Sequence, residues 1–226
     1  MRLEEANALL EPGYDQMESG VMNFDDGYAT VFALARMPGC SAAMVEWWFG
    51  WLGGTEPYKL WHPRDHVFSD WENRPPGEYI GASHLVHEYL GGSGPLHKLR
   101  INFREPQEFF DADAYARLDG VAVCARTGLL EAPLDTGYMI HFVRNTDYGC
   151  EMRSRFFLGH IESRDPDHPL SAEDTDKIRA AAVNDELTRG LHKHATEEMG
   201  YLAELLPILY RQHNDSLTEK TGVKSS

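Results

Sequence analysis

The chain has 226 residues, a length that fits one domain or at most two small ones and leaves enough chain to bury a sizeable core. Its 36 Asp plus Glu outnumber 21 Lys plus Arg, for a formal charge of −15, and no basic stripe runs along it. Nucleic acid and anionic membrane are therefore excluded as expected partners.

Cys40, Cys124 and Cys150 are widely spaced, with no Cys-x-x-Cys pair. The start, Met1-Arg2-Leu3-Glu4-Glu5, is too acidic for a signal peptide, and no run of about 18 apolar residues is present. A soluble cytoplasmic protein is expected. With 42% hydrophobic and 11% aromatic residues, the composition is that of a globular domain rather than a disordered chain.

Residues 1–20 read as a loosely structured or helical lead-in. Tyr28 to Met37 has strand character and is stopped by Pro38-Gly39. From Ser41 to Leu52 (SAAMVEWWFGWL) a short buried helix is predicted, capped by Ser41, with Met44, Trp47, Trp48 and Trp51 at three- and four-residue intervals. A polar, aromatic loop follows from Thr55 to Pro76. Extended segments are then predicted at about 79–90, 97–104, 117–127, 135–144 and 150–161, with the Gly91–Pro95 stretch as a turn. Their spacing leaves no room for crossover helices, so the sheet is antiparallel. From Ser171, which begins an approximate capping box with Asp174, helix continues with an interruption at Gly190 to about His213. The expected fold is α+β, a curved antiparallel sheet closed by a long C-terminal helix, the helix-grip arrangement with a ligand cavity. One domain covers 1–213, and 214–226 is a disordered tail.

The sharpest chemical signal lies in the last helix, where His194 and Glu198 stand one turn apart on the face continued by Tyr201, Leu202, Leu205 and Leu209, while Lys193, Glu197 and Glu204 fall away. An inward His with an inward carboxylate is how a helix offers two ligands to a divalent ion. Of the 11 His, five lie between positions 62 and 97. His62 and His66 lie in the Trp-rich loop. On the following strand His84, Val86 and Glu88 share one face and Leu85, His87 and Tyr89 the other, and alternation alone leaves open which face is internal. His141 shares a face with Met139 and Val143, as a satisfied core histidine or a pocket acid/base. Arg153 and Arg155 share a face with Phe157 and are read as pairing with surface acids. Phosphate-loop, dinucleotide and nucleophile-elbow motifs are absent.

The segments YKLWHPRDH, HLVHEYLGG, KLRINF, RSRFFLG and HKHATEE together resemble the 2,4-diacetylphloroglucinol hydrolase family, which includes phloretin hydrolase, over roughly residues 25–210. The resemblance implies a Bet v 1-like helix-grip fold and hydrolysis of a carbon–carbon bond between an acyl group and a phenolic ring. It also implies a divalent metal, zinc or alternatively iron, held by two His and two Glu. Carried over, the ligands fall on His66, Glu88, His194 and Glu198, with His62 as the rival first ligand. Tyr58 or His62 would hold ring hydroxyls, and His141 is the pocket acid/base. Phe156-Phe157 stands where a second substrate-contacting Tyr is expected, a departure that bears on which ring is accepted. The expected partner is a small phenolic ketone, and the aromatic content is compatible with a homodimer. The competing reading is a non-catalytic helix-grip module that carries a hydrophobic small molecule.

Overall fold

The computed structural model describes residues 1–92 and 94–221. Among these, eight strands form one sheet: β1 (Gly20–Asn23), β2 (Ala29–Pro38), β3 (His66–Glu72), β4 (Ser83–Tyr89), β5 (Leu96–Arg104), β6 (Gly120–Leu129), β7 (Leu134–Thr146) and β8 (Gly149–Ser163). Their spatial order is β1-β2-β8-β7-β6-β5-β4-β3, and every neighbouring pair is antiparallel. The helices are α1 (Ala42–Trp51), α2 (Thr55–Trp61), α3 (Ala112–Tyr115), α4 (Ala172–Ala182) and α5 (Asp185–Thr221). The α5 helix packs against β1 and β2 and against α1 and α2, which is the helix-grip architecture expected.

Two apolar clusters sandwich the sheet. The inner one joins Val31, Val86, Val123, Met139 and Met152 of the sheet to Trp48 and Phe49 of α1 and to Leu191, Ala195, Met199, Leu202 and Leu206 of α5. The outer one joins Cys124, Ile140, Phe142 and Phe157 to Ala6 and Leu9 of a 3-10 helix (Leu3–Leu10) and to Phe110. With both faces covered, β8 is buried without a break from Cys150 to Phe157. Ser41 caps α1 by accepting from the Met44 N–H at 3.3 Å, and Ser171 caps α4 through the Asp174 N–H at 3.1 Å.

The structure departs from the sequence reading at identifiable places. The segment read as a loop contains α2 and β3. The helix is only seven residues with Pro57 in its first turn, where a missing N–H costs nothing, and the strand is a polar edge strand bulged between His66 and Phe68. Strand β1, at four residues, is too short to show a period. The helical break falls at Val183-Asn184, where Asn184 Oδ1 accepts from the Leu187 N–H at 3.0 Å, and Gly190 lies inside α5. The buried stripe of α5 runs through Leu191, His194, Ala195, Glu198, Met199, Leu202 and Leu206, whereas Tyr201 is 38% exposed and faces outward. The α5 helix continues past His213 to Thr221, and residues 222–226 of the expected tail lie outside the described residues. Arg153 and Arg155 are not at the surface: both are buried and bond to Asp15 and Glu18 of the segment lying over the sheet's outer side.

Candidate functional site

The site is assembled where β3, β4 and α5 meet. Antiparallel register pairs His66 with Glu88 across β3 and β4. Burial alternates along β4, so that His84, Val86 and Glu88 are internal, which decides the face the sequence left open. The α5 helix supplies His194 and Glu198, held close to the sheet by glycine. A Cβ on Gly190 would stand 2.7 Å from the Leu90 carbonyl, and Gly91 has a φ of +81° against the Gly190 backbone. The Lys193 ammonium bonds the Gly91 carbonyl at 2.8 Å and reinforces the contact.

Hydrogen bonds at the far ring nitrogens orient both histidines. His66 Nδ1 lies 2.8 Å from the Tyr58 carbonyl, which only accepts, so Nδ1 carries the proton. His194 Nδ1 lies 3.1 Å from Asp65 Oδ2 and is fixed in the same tautomer. Both Nε2 lone pairs then face carboxylates. His66 Nε2 is 3.3 Å from Glu198 Oε1 and 3.9 Å from Glu88 Oε2. His194 Nε2 is 4.0 Å from Glu88 Oε2 and 3.9 Å from Glu198 Oε2. His66 Nε2 is buried and makes no hydrogen bond. Acceptors facing acceptors in a buried space require a cation or a proton between them. Burial, together with the neighbouring Glu88 and Asp65 charges and against the pull of His194, pushes the Glu198 carboxyl up to about 8. Burial likewise holds His66 below its ordinary value and outweighs Glu88. Two imidazole nitrogens and two carboxylates match the donor set of a divalent ion such as zinc.

Behind this centre Asp65 is a fully buried hub. Its Oδ2 accepts from the Gly91 N–H at 3.2 Å as well as from His194. Burial alone would raise its carboxyl, but the His194 hydrogen bond and the nearby His62, His194 and Arg64 charges hold it below the usual range. His62 stacks on His194 with centroids 4.9 Å apart and accepts the Asp65 N–H on Nδ1 at 3.2 Å. Its Nε2 lies 3.5 Å from Asp65 and 3.6 Å from Glu197. A second triad, His62, Asp65 and His194, is close enough to hold an ion. In it His194 would present Nδ1, whose N–H is already donated to Asp65, so His66, Glu88 and His194 with Glu198 are the better donors. Tyr58 stacks on His66 at 3.6 Å and donates its hydroxyl to Glu88, and burial followed by the Glu88 and Glu198 charges keeps that phenol protonated. The Trp61 indole N–H bonds the Glu198 carbonyl at 3.1 Å.

In front of the centre lies an inner pocket of about 50 Å³, lined by Tyr58, Glu88, His194 and Glu198 and by His84, His141, Phe49, Phe103 and Phe156. His141 Nδ1 is 2.8 Å from Ser154 Oγ, and His84 Nε2 is 2.6 Å from Ser69 Oγ. Burial pushes each of these histidines down to about 3, so both rest neutral.

A family model described as the DAPG hydrolase PhiG domain matches residues 1–211. The chain belongs to the DAPG hydrolase family. Within that family it is 30% identical over 238 residues to the 2,4-diacetylphloroglucinol hydrolase of Pseudomonas protegens, covering 93% of this chain and 73% of that one. It is 25% identical over 206 residues to phloretin hydrolase of Eubacterium ramulus, covering 84% and 70%. Among solved structures, protein Ms6760 of Mycobacterium smegmatis aligns with a TM-score of 0.47 at 11% identity, covering 84% of this chain and 98% of that one. Ara h 8.0201 aligns with a TM-score of 0.36 at 12% identity, covering 76% and 96%.

In this DAPG hydrolase family member the structure brings together His66, Glu88, His194, Glu198 and Tyr58, and places His141 on the same pocket. His62 is not brought to the pocket and lies behind His194. Sequence reasoning missed Asp65, the hub, because an aspartate in a polar loop has no periodic signature; it put His84 on the face of Glu88 without a role, and it missed the two serines paired with the pocket histidines. Phe156 faces the pocket while Phe157 packs in the outer cluster.

Proposed function

We propose that this chain is a metal-dependent hydrolase that cleaves the carbon–carbon bond between an acyl group and a phenolic ring, with His66, Glu88, His194 and Glu198 holding a divalent ion, zinc in preference to iron. The observation that carries this reading is the buried, unbonded His66 Nε2 facing two carboxylates and the His194 lone pair. An ion held there supplies Lewis acidity for a ketone oxygen and lowers the pKa of water to about 7.

In the reaction water adds its oxygen to the acyl carbon, the acyl–ring bond breaks, and the ring carbon gains a proton. The products are a carboxylic acid and the deacylated phenol, with no change of oxidation state overall. Ring hydroxyls are needed because a bare aryl anion cannot leave, whereas the keto tautomer of a phenol leaves as an enolate. His141, held by Ser154 and neutral at rest, takes up the proton that the attacking water gives up and passes it to that carbon, releasing it readily because burial disfavours its charged form. Tyr58 fixes Glu88 by donating to it, and its ring wall borders the pocket where the substrate sits. Asp65, supported by His62, fixes the His194 tautomer.

The test is metal analysis together with turnover of 2,4-diacetylphloroglucinol, followed by acetate release. One ion per chain and stoichiometric acetate are expected, with the ion lost in His194→Ala and Glu198→Gln. A protein that cannot be loaded with any divalent ion overturns the reading. The second reading, carriage of a hydrophobic small molecule without catalysis, draws on a mainly aliphatic chamber beside the pocket. It requires retention of ligand without acetate release, unaffected by chelator.

A further inference from the structure

The space in front of the candidate centre is divided unequally. The inner pocket of about 50 Å³ ends against packed rings: Phe49 lies 5.8 Å from Phe103, 5.9 Å from His141 and 5.7 Å from Trp61 between centroids. An outer chamber of about 300 Å³ shares Glu88, Ile101, Met139, Phe156 and Leu191 with it. It runs outward between β5–β8 and α5, past Leu99, Thr127 and Leu187, to the break between α4 and α5 at Val183-Asn184.

These volumes fix an orientation. A benzene ring occupies an apolar cavity of about 150 Å³, several times the inner pocket and about half of the outer chamber. The inner wall cannot open by a single rotamer change, because Phe49 is wedged among Trp61, Phe103 and His141. Resting on the hydrolase reading above, we infer that the ketone enters acyl arm first. The acyl group occupies the inner pocket and the phenolic ring extends into the outer chamber, with the reacting carbonyl and the ring carbon bonded to it at the shared neck beside Glu88 and Phe156, whose ring lies 5.7 Å from His141. The enzyme therefore selects acyl arms of two or three carbons and accepts rings carrying additional apolar substituents. Phe49 and Phe103 set the arm length, and Leu187 sets the room for the ring.

The experiment compares acylphloroglucinols bearing acetyl, butanoyl, hexanoyl and 3-phenylpropanoyl arms on the full chain, by release of the acid. From acetyl to hexanoyl, kcat/KM is expected to fall at least 100-fold. Phe103→Leu, or Phe49→Leu if that variant does not fold, raises the hexanoyl-to-acetyl ratio at least tenfold. Leu187→Trp raises KM for the acetyl substrate at least tenfold while kcat stays within twofold. Hexanoyl turnover within threefold of acetyl in the unaltered protein overturns the assignment, as does Leu187→Trp with an unchanged KM. If no member of the series is hydrolysed, the hydrolase reading fails separately, and calorimetric binding of the same compounds still decides the chambers. Tighter binding of the acetyl than of the hexanoyl compound sustains the division of space, and equal affinity overturns it.

Discussion

Gly190→Ala sets two effects of opposite sign against each other. Alanine is favoured over glycine in a helix interior by about 1 kcal/mol, so on propensity alone the substitution stabilises. The added Cβ would stand 2.7 Å from the Leu90 carbonyl oxygen, and reaching ordinary contact at 3.4 Å requires α5 to retreat by about 0.7 Å. The obstacle is a backbone carbonyl one residue past β4 rather than a flexible side chain, so it cannot swing away, and overpacking of this kind costs about 1–3 kcal/mol. The net expectation is a protein less stable by about 0–2 kcal/mol. The larger effect falls on the site. His194 follows one turn after Gly190, and the same retreat lifts its ring from Asp65, now at 3.1 Å, and from Glu88. Loss of such a supporting contact lowers metal affinity by about 10–100-fold. Urea unfolding and zinc titration of the two proteins measure both quantities. A variant that is about 1 kcal/mol more stable and binds zinc as tightly as the parent would show that the close approach of helix and strand has no role in the site.

Three further outcomes are expected. Asp65→Asn removes the carboxylate that fixes His194 and weakens zinc binding by about 10–100-fold while the fold persists, read by competition with a chromogenic chelator; unchanged affinity refutes the hub. Zinc uptake at pH 7 releases a proton, because the Glu198 carboxyl sits at about 8 in the free site and must ionise to bind. Affinity thus rises with pH up to about 8, and calorimetry in buffers of differing ionisation heat detects the proton; buffer-independent heats refute this. Acid destabilises the fold: His84 and His141 titrate at about 3 when folded against an ordinary 6.5, so the stability they confer is complete above 6.5 and is lost as pH falls from 6.5 towards 3. Each contributes about 1.4 kcal/mol per pH unit within that window. Glu198, raised from 4.5, acts in the opposite sense between 4.5 and 8 and offsets one of them. His62 and His160, held down to about 4, act with the two pocket histidines, so a net loss of at least about 1 kcal/mol per pH unit between pH 6 and 5 remains, and urea unfolding with an equal midpoint at both pH values contradicts it.

The α5 half of the site was legible because a helix repeats its geometry: four residues separate His194 from Glu198, and the apolar stripe beside them marks the inner side. The Tyr201 error is one of angle, since a stripe read from Leu205 and Leu209 is rotated from the observed line through Leu202 and Leu206. The other half depended on a register. His66 opposes Glu88 only because β3 pairs with β4, and β3 begins in a polar, tryptophan-rich stretch whose burial at His66 and Ser69 comes with α2 packed against it. The placement of His62 behind His194, and the use of Asp65, depend on contacts between residues more than a hundred positions apart, for which local sequence has no signal. By local sequence alone Gly190 marks a helix interruption, because glycine weakens isolated helices. In the folded chain its missing side chain serves the contact with Leu90.

Strand β8 ties the two sides of the sheet to one another. Ser154 points inward and holds His141, while its neighbours Arg153 and Arg155 point outward and are neutralised by Asp15 and Glu18. The same few residues of backbone therefore carry a pocket contact on one side and two buried cations on the other. A chain trimmed to begin after Glu18 would leave both guanidiniums without their carboxylates in a low-dielectric setting, a penalty of several kcal/mol. Relief would come by pulling β8 towards water. The leading segment, although it contributes nothing to the pocket lining, thus acts as a counterweight for the proton-carrying histidine across the thickness of the sheet.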